Sequence, residues 1–220
     1  IDIKQCEKPI NLKKIKGKSV FMSSVTDCYN SFEKKYGIAR RILEQLVNAD
    51  CQITISTKST LILRDIELLK RISNLKVAFS INTLDDTFRA DMDYGSSIEG
   101  RVHSMEELHH AGIHTVLFMS PIFPYITEWK NIINYTKENV CEYWFENLNL
   151  RGEYKSGILS YIATHYPDLK EKYEAIYLEK DNAYWDTLAD LLNTYCDELG
   201  LDYVNYFYHE KLVKEKLNNQ

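Results

Sequence analysis

Proline and glycine are scarce, at 4 and 8 of 220 residues. Neither G-x-G-x-x-G nor G-x-x-x-x-G-K-[ST] occurs. That weighs against a dinucleotide-binding or nucleotide-hydrolysing sheet, whose phosphate cradles need those glycines. No apolar run approaches the ~18 residues of a membrane span, so no membrane partner is expected. The leading I-D-I-K-Q-C-E-K-P-I lacks the pattern of a secretory signal. The missing initiator Met points to a gene product longer than this chain. Positive charge is not in excess: the formal net charge is -5, which argues against wholesale coating of nucleic acid and leaves room only for a local basic cleft. The cysteines, Cys6, Cys28, Cys51, Cys141 and Cys196, are odd in number, scattered, and never spaced C-x-x-C. They read as reduced thiols of a cytoplasmic protein, not as a disulfide framework. Tyrosine, by contrast, is abundant at 16 and reads as packing with the phenol oxygens hydrogen-bonded.

Hydrophobic periodicity divides the chain. After an irregular segment over 1–18, strands are predicted over 19–25, 51–57, 75–83, 114–119 and 142–148. Helices are predicted between them, over 31–48, 64–73, 97–111 and 127–139, with Ser97 and Thr127 as caps and Gly112 as a stop. Beyond about residue 150 the rhythm becomes helical, over 155–165, 168–177, 182–199 and 210–217, with one last short strand over 202–206. Alternating strands and helices with near-continuous apolar strands predict a parallel α/β sheet. Five strands before the tail are too few for a closed eight-fold barrel; a partial barrel and an open doubly wound sheet both fit.

The organising stretch is V-A-F-S-I-N-T-L-D-D-T-F-R, Val77 to Arg89. Ser80 and Asn82 share a face because strand side chains alternate, and Asp85, Asp86 and Arg89 follow in the loop beyond. In parallel α/β architectures ligands bind at that carboxyl end. Ser80 and Asn82 are therefore candidates for hydrogen bonds to a ligand, against satisfaction by neighbouring backbone. Arg89 is a candidate carboxylate clamp, against an ion pair with Asp85 or Asp86. Lys58, ending the second strand in S-T-K-S, offers a point charge for a carboxylate. Ser24, Thr26 and Asp27 follow the first strand, where Asp27 can instead make an Asx turn. Pro121 restricts Ser120 to extended backbone, and Asn147 and Asn149 end the fifth strand. Cys28 is a candidate reactive thiol, against an ordinary loop cysteine. His103, His109, His110 and His114 lack an H-E-x-x-H signature, so no metal ligand is assigned. Tyr203, Tyr206 and Tyr208 read as packing, against base stacking or radical relay.

Five pieces taken together carry a resemblance. V-T-D-C-Y-N-S-F-E-K-K-Y, I-S-T-K-S-T-L-I-L-R-D, F-S-I-N-T-L-D-D, F-M-S-P-I-F-P and F-E-N-L-N follow one another from about Ser19 to Asn149. In order and spacing they resemble radical S-adenosylmethionine proteins of the spore photoproduct lyase-like branch. The resemblance implies an α/β fold, a partial (βα)6 TIM-type barrel of parallel strands over 19–150, followed by a mostly helical C-terminal extension over 151–220. It implies S-adenosylmethionine bound at the strands' carboxyl ends by Ser24, Thr26, Lys58, Ser80, Asn82, Arg89, Ser120, Asn147 and Asn149, with Lys58 on the methionyl carboxylate. It implies Cys28 as a hydrogen-donating catalytic thiol.

The resemblance further implies a [4Fe-4S] cluster held by C-x-x-x-C-x-x-C, with the cofactor's amino and carboxylate groups on the fourth iron. One electron from a flavodoxin or ferredoxin would cleave the cofactor to a 5'-deoxyadenosyl radical, and a pyrimidine lesion in DNA would be the substrate. C-x-x-x-C-x-x-C is absent here, and the first strand corresponds to the family's second. Cluster ligands are therefore expected upstream of Ile1, and the chain alone is expected not to turn over. Two other classes stand beside this reading. One is a cofactor-binding or protein-interaction module without chemistry. The other is a barrel hydrolase or isomerase using Asp27, Glu146 or Asp85 as general base.

Overall fold

Six short runs of β-branched and apolar residues build the frame. A computed structural model describes residues 8–207. The strands are β1 (Ser19–Met22), β2 (Gln52–Thr57), β3 (Leu75–Ser80), β4 (His114–Ile122), β5 (Glu142–Asn147) and β6 (Tyr203–Asn205), and they lie side by side in chain order. Every pairing is parallel. A doubly wound sheet would reverse its order at a switch point; this one does not, so the fold is the partial (βα)6 barrel. Strand β6, from the C-terminal extension, completes the same sheet.

The helices are α1 (Leu12–Ile15), α2 (Glu33–Tyr36), α3 (Ile38–Leu46), α4 (Ile66–Leu69), α5 (Asp86–Met92), α6 (Ile98–His110), α7 (Trp129–Thr136), α8 (Gly152–His165), α9 (Lys170–Tyr177) and α10 (Ala183–Leu199). The register sets the two faces of the sheet. Ile55 lies opposite Val77, Phe79 opposite Leu117, and Leu117 opposite Tyr143. That face meets Leu43, Leu108, Ile132 and Leu192 from the helices in one continuous core. Each such side chain contributes about 1.5–3 kcal/mol by leaving water. The other face carries a small cluster, Ala78, Val116 and Trp144, flanked by Phe118, Val204 and Tyr206.

Several boundaries differ from the sequence expectation, each for a local reason. The helix expected over 31–48 is two, because Gly37 takes a left-handed φ of 57° that ends α2 and turns the chain into α3. The helix expected over 64–73 is a 3₁₀ turn, Thr60–Asp65, followed by the single turn of α4. Here the Asp65 carboxylate, fully buried, takes hydrogen bonds from Tyr29, Arg40 and Arg64, and tertiary bonding overrides helical period. Asp85 to Met92, expected as loop, includes α5: the Asp85 carboxylate accepts from Thr87 N at 2.7 Å and Phe88 N at 3.4 Å. Ser97 caps α6 through Gly100 N at 3.2 Å, and Gly112 follows at a φ of 79°. Thr127 caps no helix; its hydroxyl donates to the Asn82 carbonyl and accepts from Phe123 N. Strand β1 stops at Met22, where Ser23 turns at a φ of 75°. Strand β4 runs on to Ile122 with a register shift after Met119. The helix expected over 210–217, Cys6 and Tyr208 lie outside the described residues.

Candidate active site at the carboxyl ends of the strands

The first strand's loop is organised by one carboxylate. Asp27 makes the Asx turn, accepting from Tyr29 N at 2.8 Å. It also accepts from Thr57 Oγ1 at 3.0 Å and Lys58 N at 2.7 Å, and so ties β1 to the end of β2. With its oxygens so engaged, Asp27 is a structural clasp. The same holds for Asp85, which caps α5. Neither is placed as a general base. Ser24 and Thr26 are exposed beside this clasp.

Cys28 sits in the same loop, its backbone N–H on Ser23 Oγ at 2.9 Å. Burial pushes its thiol up to about 11, and the Ser23 hydrogen bond only partly offsets this. Cys28 is therefore a protonated thiol at neutral pH and not a thiolate.

At the end of β3, Ser80 Oγ donates to the Ser120 carbonyl at 2.9 Å, and Asn82 Nδ2 donates to the Pro121 carbonyl at 2.8 Å. Both buried side chains thus pin β3 to β4, as the backbone-satisfied reading held, and keep acceptor capacity for a ligand. Ser120 Oγ bonds the exposed Glu146 carboxylate, bringing β4 and β5 together. Asn147 ends β5 half-buried, and the exposed Asn149 accepts from Arg151 Nε at 3.1 Å. Arg89 is drawn into α5, its Nε on Asp86 at 2.8 Å and Nη1 within 3.5 Å of the Asp93 and Gly95 carbonyls. The ion-pair reading of Arg89 is the one the geometry carries.

Lys58 is met by a residue that sequence reasoning passed over. Its Nζ lies 3.3 Å from Asp93 Oδ2. The other Asp93 oxygen bonds Nη2 of Arg101, whose side chain is 0% exposed. Arg101 also donates Nε to Ser96 O at 2.8 Å and Nη1 to Ser80 O at 2.9 Å. One buried guanidinium therefore joins α6, the loop after α5 and the end of β3. Burial works to raise the Asp93 carboxyl, but hydrogen bonding and charge from Arg101, aided by Lys58, hold it below the usual range. A signal was present: Arg101 falls in the apolar stripe of α6 with Ile98, Met105 and Leu108, all buried. A charge there requires a partner.

At the opposite, amino ends of the strands, Glu142 meets Lys76, His114 at 3.2 Å and Trp144 Nε1 at 2.9 Å. Among the described residues no group of three or more His, Cys, Asp or Glu is placed to hold a metal, and no helix is long and apolar enough to cross a membrane.

A parallel partial barrel with polar groups gathered at its carboxyl ends is the architecture of cofactor-binding α/β barrels. The radical S-adenosylmethionine superfamily matches residues 8–135, more than half of the chain, and the chain belongs to that superfamily. It is 35% identical over 188 residues to the uncharacterized protein MJ0683 of Methanocaldococcus jannaschii, covering 84% of this chain and 68% of that protein. Its fold is similar to SuiB of Streptococcus suis bound to S-adenosylmethionine, with a TM-score of 0.57 at 14% identity over 78% of this chain and 36% of that one. It is also similar to a spore photoproduct lyase mutant with bound S-adenosylmethionine and dinucleoside spore photoproduct, with a TM-score of 0.53 at 14% identity over 75% of this chain and 50% of that one. The chain thus spans half or less of these two solved structures.

The superfamily's cofactors are S-adenosylmethionine and a [4Fe-4S] cluster. The donor set at the strand ends fits the former. Lys58 suits a carboxylate, Glu146 an ammonium, and the Ser80, Asn82, Ser120 and Asn147 groups suit ribose hydroxyls and base edges. The described residues do not fit the cluster, which needs thiolates gathered in one place. Cys28, Cys51 and Cys141 lie in the connections after β1, before β2 and before β5, and Cys196 lies on α10, all with free thiols.

Proposed function

We propose that this chain is the S-adenosylmethionine-binding core of a radical enzyme of the spore photoproduct lyase-like branch. The observation that carries the reading is the gathering of hydroxyl, amide, ammonium and carboxylate groups at the carboxyl ends of the strands. Lys58, Ser80, Asn82, Ser120, Glu146 and Asn147 converge on the carboxyl ends of β2 to β5. When bound, S-adenosylmethionine would supply hydrogen-abstracting 5'-deoxyadenosyl chemistry on one-electron reduction from a flavodoxin- or ferredoxin-type donor, and the strand-end residues would hold it.

The chain's own residues orient the cofactor. Lys58 faces its carboxylate and Glu146 its amino group, while Ser80 and Asn82 accept from the ribose hydroxyls. Ser24, Thr26 and Asn149 edge the opening, and Cys28, kept protonated by burial, would be the hydrogen-atom donor. Arg89 steadies the rim through Asp86. A pyrimidine lesion is the substrate that the likeness to spore photoproduct lyase favours. The exposed rim carries Asp85, Asp86 and Asp91, so a dinucleoside lesion with few phosphates suits it better than a long polyanion.

The test is equilibrium binding of S-adenosylmethionine to the chain as it stands, followed by calorimetry. Saturable one-to-one binding, weakened by Glu146→Gln, supports the reading. No binding by a folded protein overturns it.

A further inference from the structure

The network behind Lys58 is unusual in its economy. Asp93 presents one oxygen to each of two cations. Arg101, wholly buried, holds Oδ1, and Lys58, more than a third exposed on its side chain, holds Oδ2. Arg101 also donates from Nε and Nη1 to two carbonyls, one of them Ser80 O on β3. Gly95 completes the nest. A Cβ there would stand 2.6 Å from Arg101 Nη2, 2.7 Å from Lys58 Cβ and 3.0 Å from Asp93 Oδ1, so no larger residue fits without displacing all three. Its N–H also donates to Asp93 Oδ1 at 2.8 Å, and Ser96 N donates to Lys58 O at 2.9 Å.

The two halves of this network differ in kind. The Arg101 half is buried and many-bonded, and breaking it would leave an uncompensated charge. The Lys58 half is a single, partly exposed ion pair, of the sort that contributes little and exchanges readily. A carboxylate fixed on one side and loosely paired on the other is a placeholder for a second carboxylate.

We propose that Asp93 and Arg101 are positioning residues for Lys58. Arg101 fixes the Asp93 carboxylate, and that carboxylate holds the Lys58 ammonium at the strand ends until an incoming ligand carboxylate takes its place. This rests on the reading of the strand ends as an S-adenosylmethionine site. It adds a competition internal to the protein: Asp93 and the ligand share one lysine.

The test measures dissociation constants for two probes, S-adenosylmethionine and 5'-methylthioadenosine, which keeps the nucleoside and sulfur but lacks the carboxylate. Lys58→Met should weaken S-adenosylmethionine at least tenfold, the worth of a charge-assisted hydrogen bond, and leave methylthioadenosine unchanged. Asp93→Asn, which cannot compete for the ammonium, should tighten S-adenosylmethionine several-fold in a Lys58 background and have no effect on it in a Lys58→Met background. A loss of S-adenosylmethionine affinity in Asp93→Asn as large as in Lys58→Met, with the fold intact, overturns the placeholder role. Where Asp93→Asn does not fold, Gly95→Ala disturbs the same nest without changing charge. It should change the affinity for S-adenosylmethionine and leave methylthioadenosine unchanged, and an equal change for both probes overturns the proposal. Wild-type protein that binds neither probe overturns the cofactor site itself. Binding of both probes with no response to any of these variants overturns only the positioning role.

Discussion

The two ends of the sheet each hold a lysine against a carboxylate, and they use different materials to do it. At the amino ends, Lys76, His114, Glu142 and Trp144 all project from strands β3, β4 and β5. Their spacing is fixed by the ladder, and nothing in the arrangement depends on a loop. At the carboxyl ends, Lys58 ends a strand, but Asp93 belongs to the loop after α5 and Arg101 to α6. There the pairing depends on where tertiary packing sets a loop and a helix. A strand-borne cluster is rigid and holds what is already there. A cluster assembled from loops over a rigid sheet can exchange partners, which is why binding groups in this architecture gather at that end.

The largest expected effect falls on the loop-borne end. Arg101→Met removes the buried cation and leaves Asp93 held only by Lys58 and a backbone N–H. It should cost about 3–5 kcal/mol, the range for stranding one member of a buried pair, read as a lowered urea midpoint. A loss under about 1 kcal/mol would show that the two ends do not differ in dependence on tertiary packing. Glu142→Gln at the other end should cost about 1–2 kcal/mol, since Lys76 and His114 remain partly exposed and find water. It should leave S-adenosylmethionine binding unchanged; weaker binding would mean that the ends are coupled through the sheet.

The pH dependence follows from the carboxylates. Burial works against ionisation of Glu142, but hydrogen bonds from Lys76, Trp144 and His114 outweigh it and hold the group below its ordinary 4.5. Asp93 is likewise held below 3.8. For a depressed folded-state value, the stability contributed is present above the ordinary value and is lost as pH falls through the folded one. Urea midpoints should therefore be level from pH 7 to about 5 and fall below it. The Glu142 share erodes first because its ordinary value is the higher. A midpoint that rises on acidification would contradict both assignments.

The smallest effect is chemical. Cys28, pushed up to about 11 by burial, should react slowly with iodoacetamide at pH 8, and the rate should climb toward pH 11 by peptide mapping. A fast reaction at neutral pH would restore the low-pKa thiol that the structure argues against.

Much of the site was legible in residue order. What was legible is that Lys58, Ser80, Asn82 and Ser120 fall toward the carboxyl ends of the strands, because strand bounds follow from apolar runs and the period of two fixes which residues share a face. For Arg89 the residue order left two readings open, a carboxylate clamp and an ion pair with Asp85 or Asp86, because Asp85 to Met92 reads as loop. Only the capping geometry of Asp85 makes it α5 and turns Arg89 onto Asp86. Arg101 was passed over although its place in the stripe of Ile98, Met105 and Leu108 announced a buried charge. Its partner Asp93 is eight residues earlier in a loop of no periodicity, and nothing in the order of residues joins them.

By itself the sequence determined the parallel α/β class, the number and succession of the strands and the end of the sheet that carries the polar groups. These follow from short-range rules, the alternation of side chains and the burial of apolar runs. The tertiary structure alone decided that strand order is sequential, which makes the sheet a partial barrel. It alone showed that a buried arginine reaches across three elements to steady a lysine on a fourth. Such a contact depends on distances between segments remote in the chain, and local propensity carries no record of them.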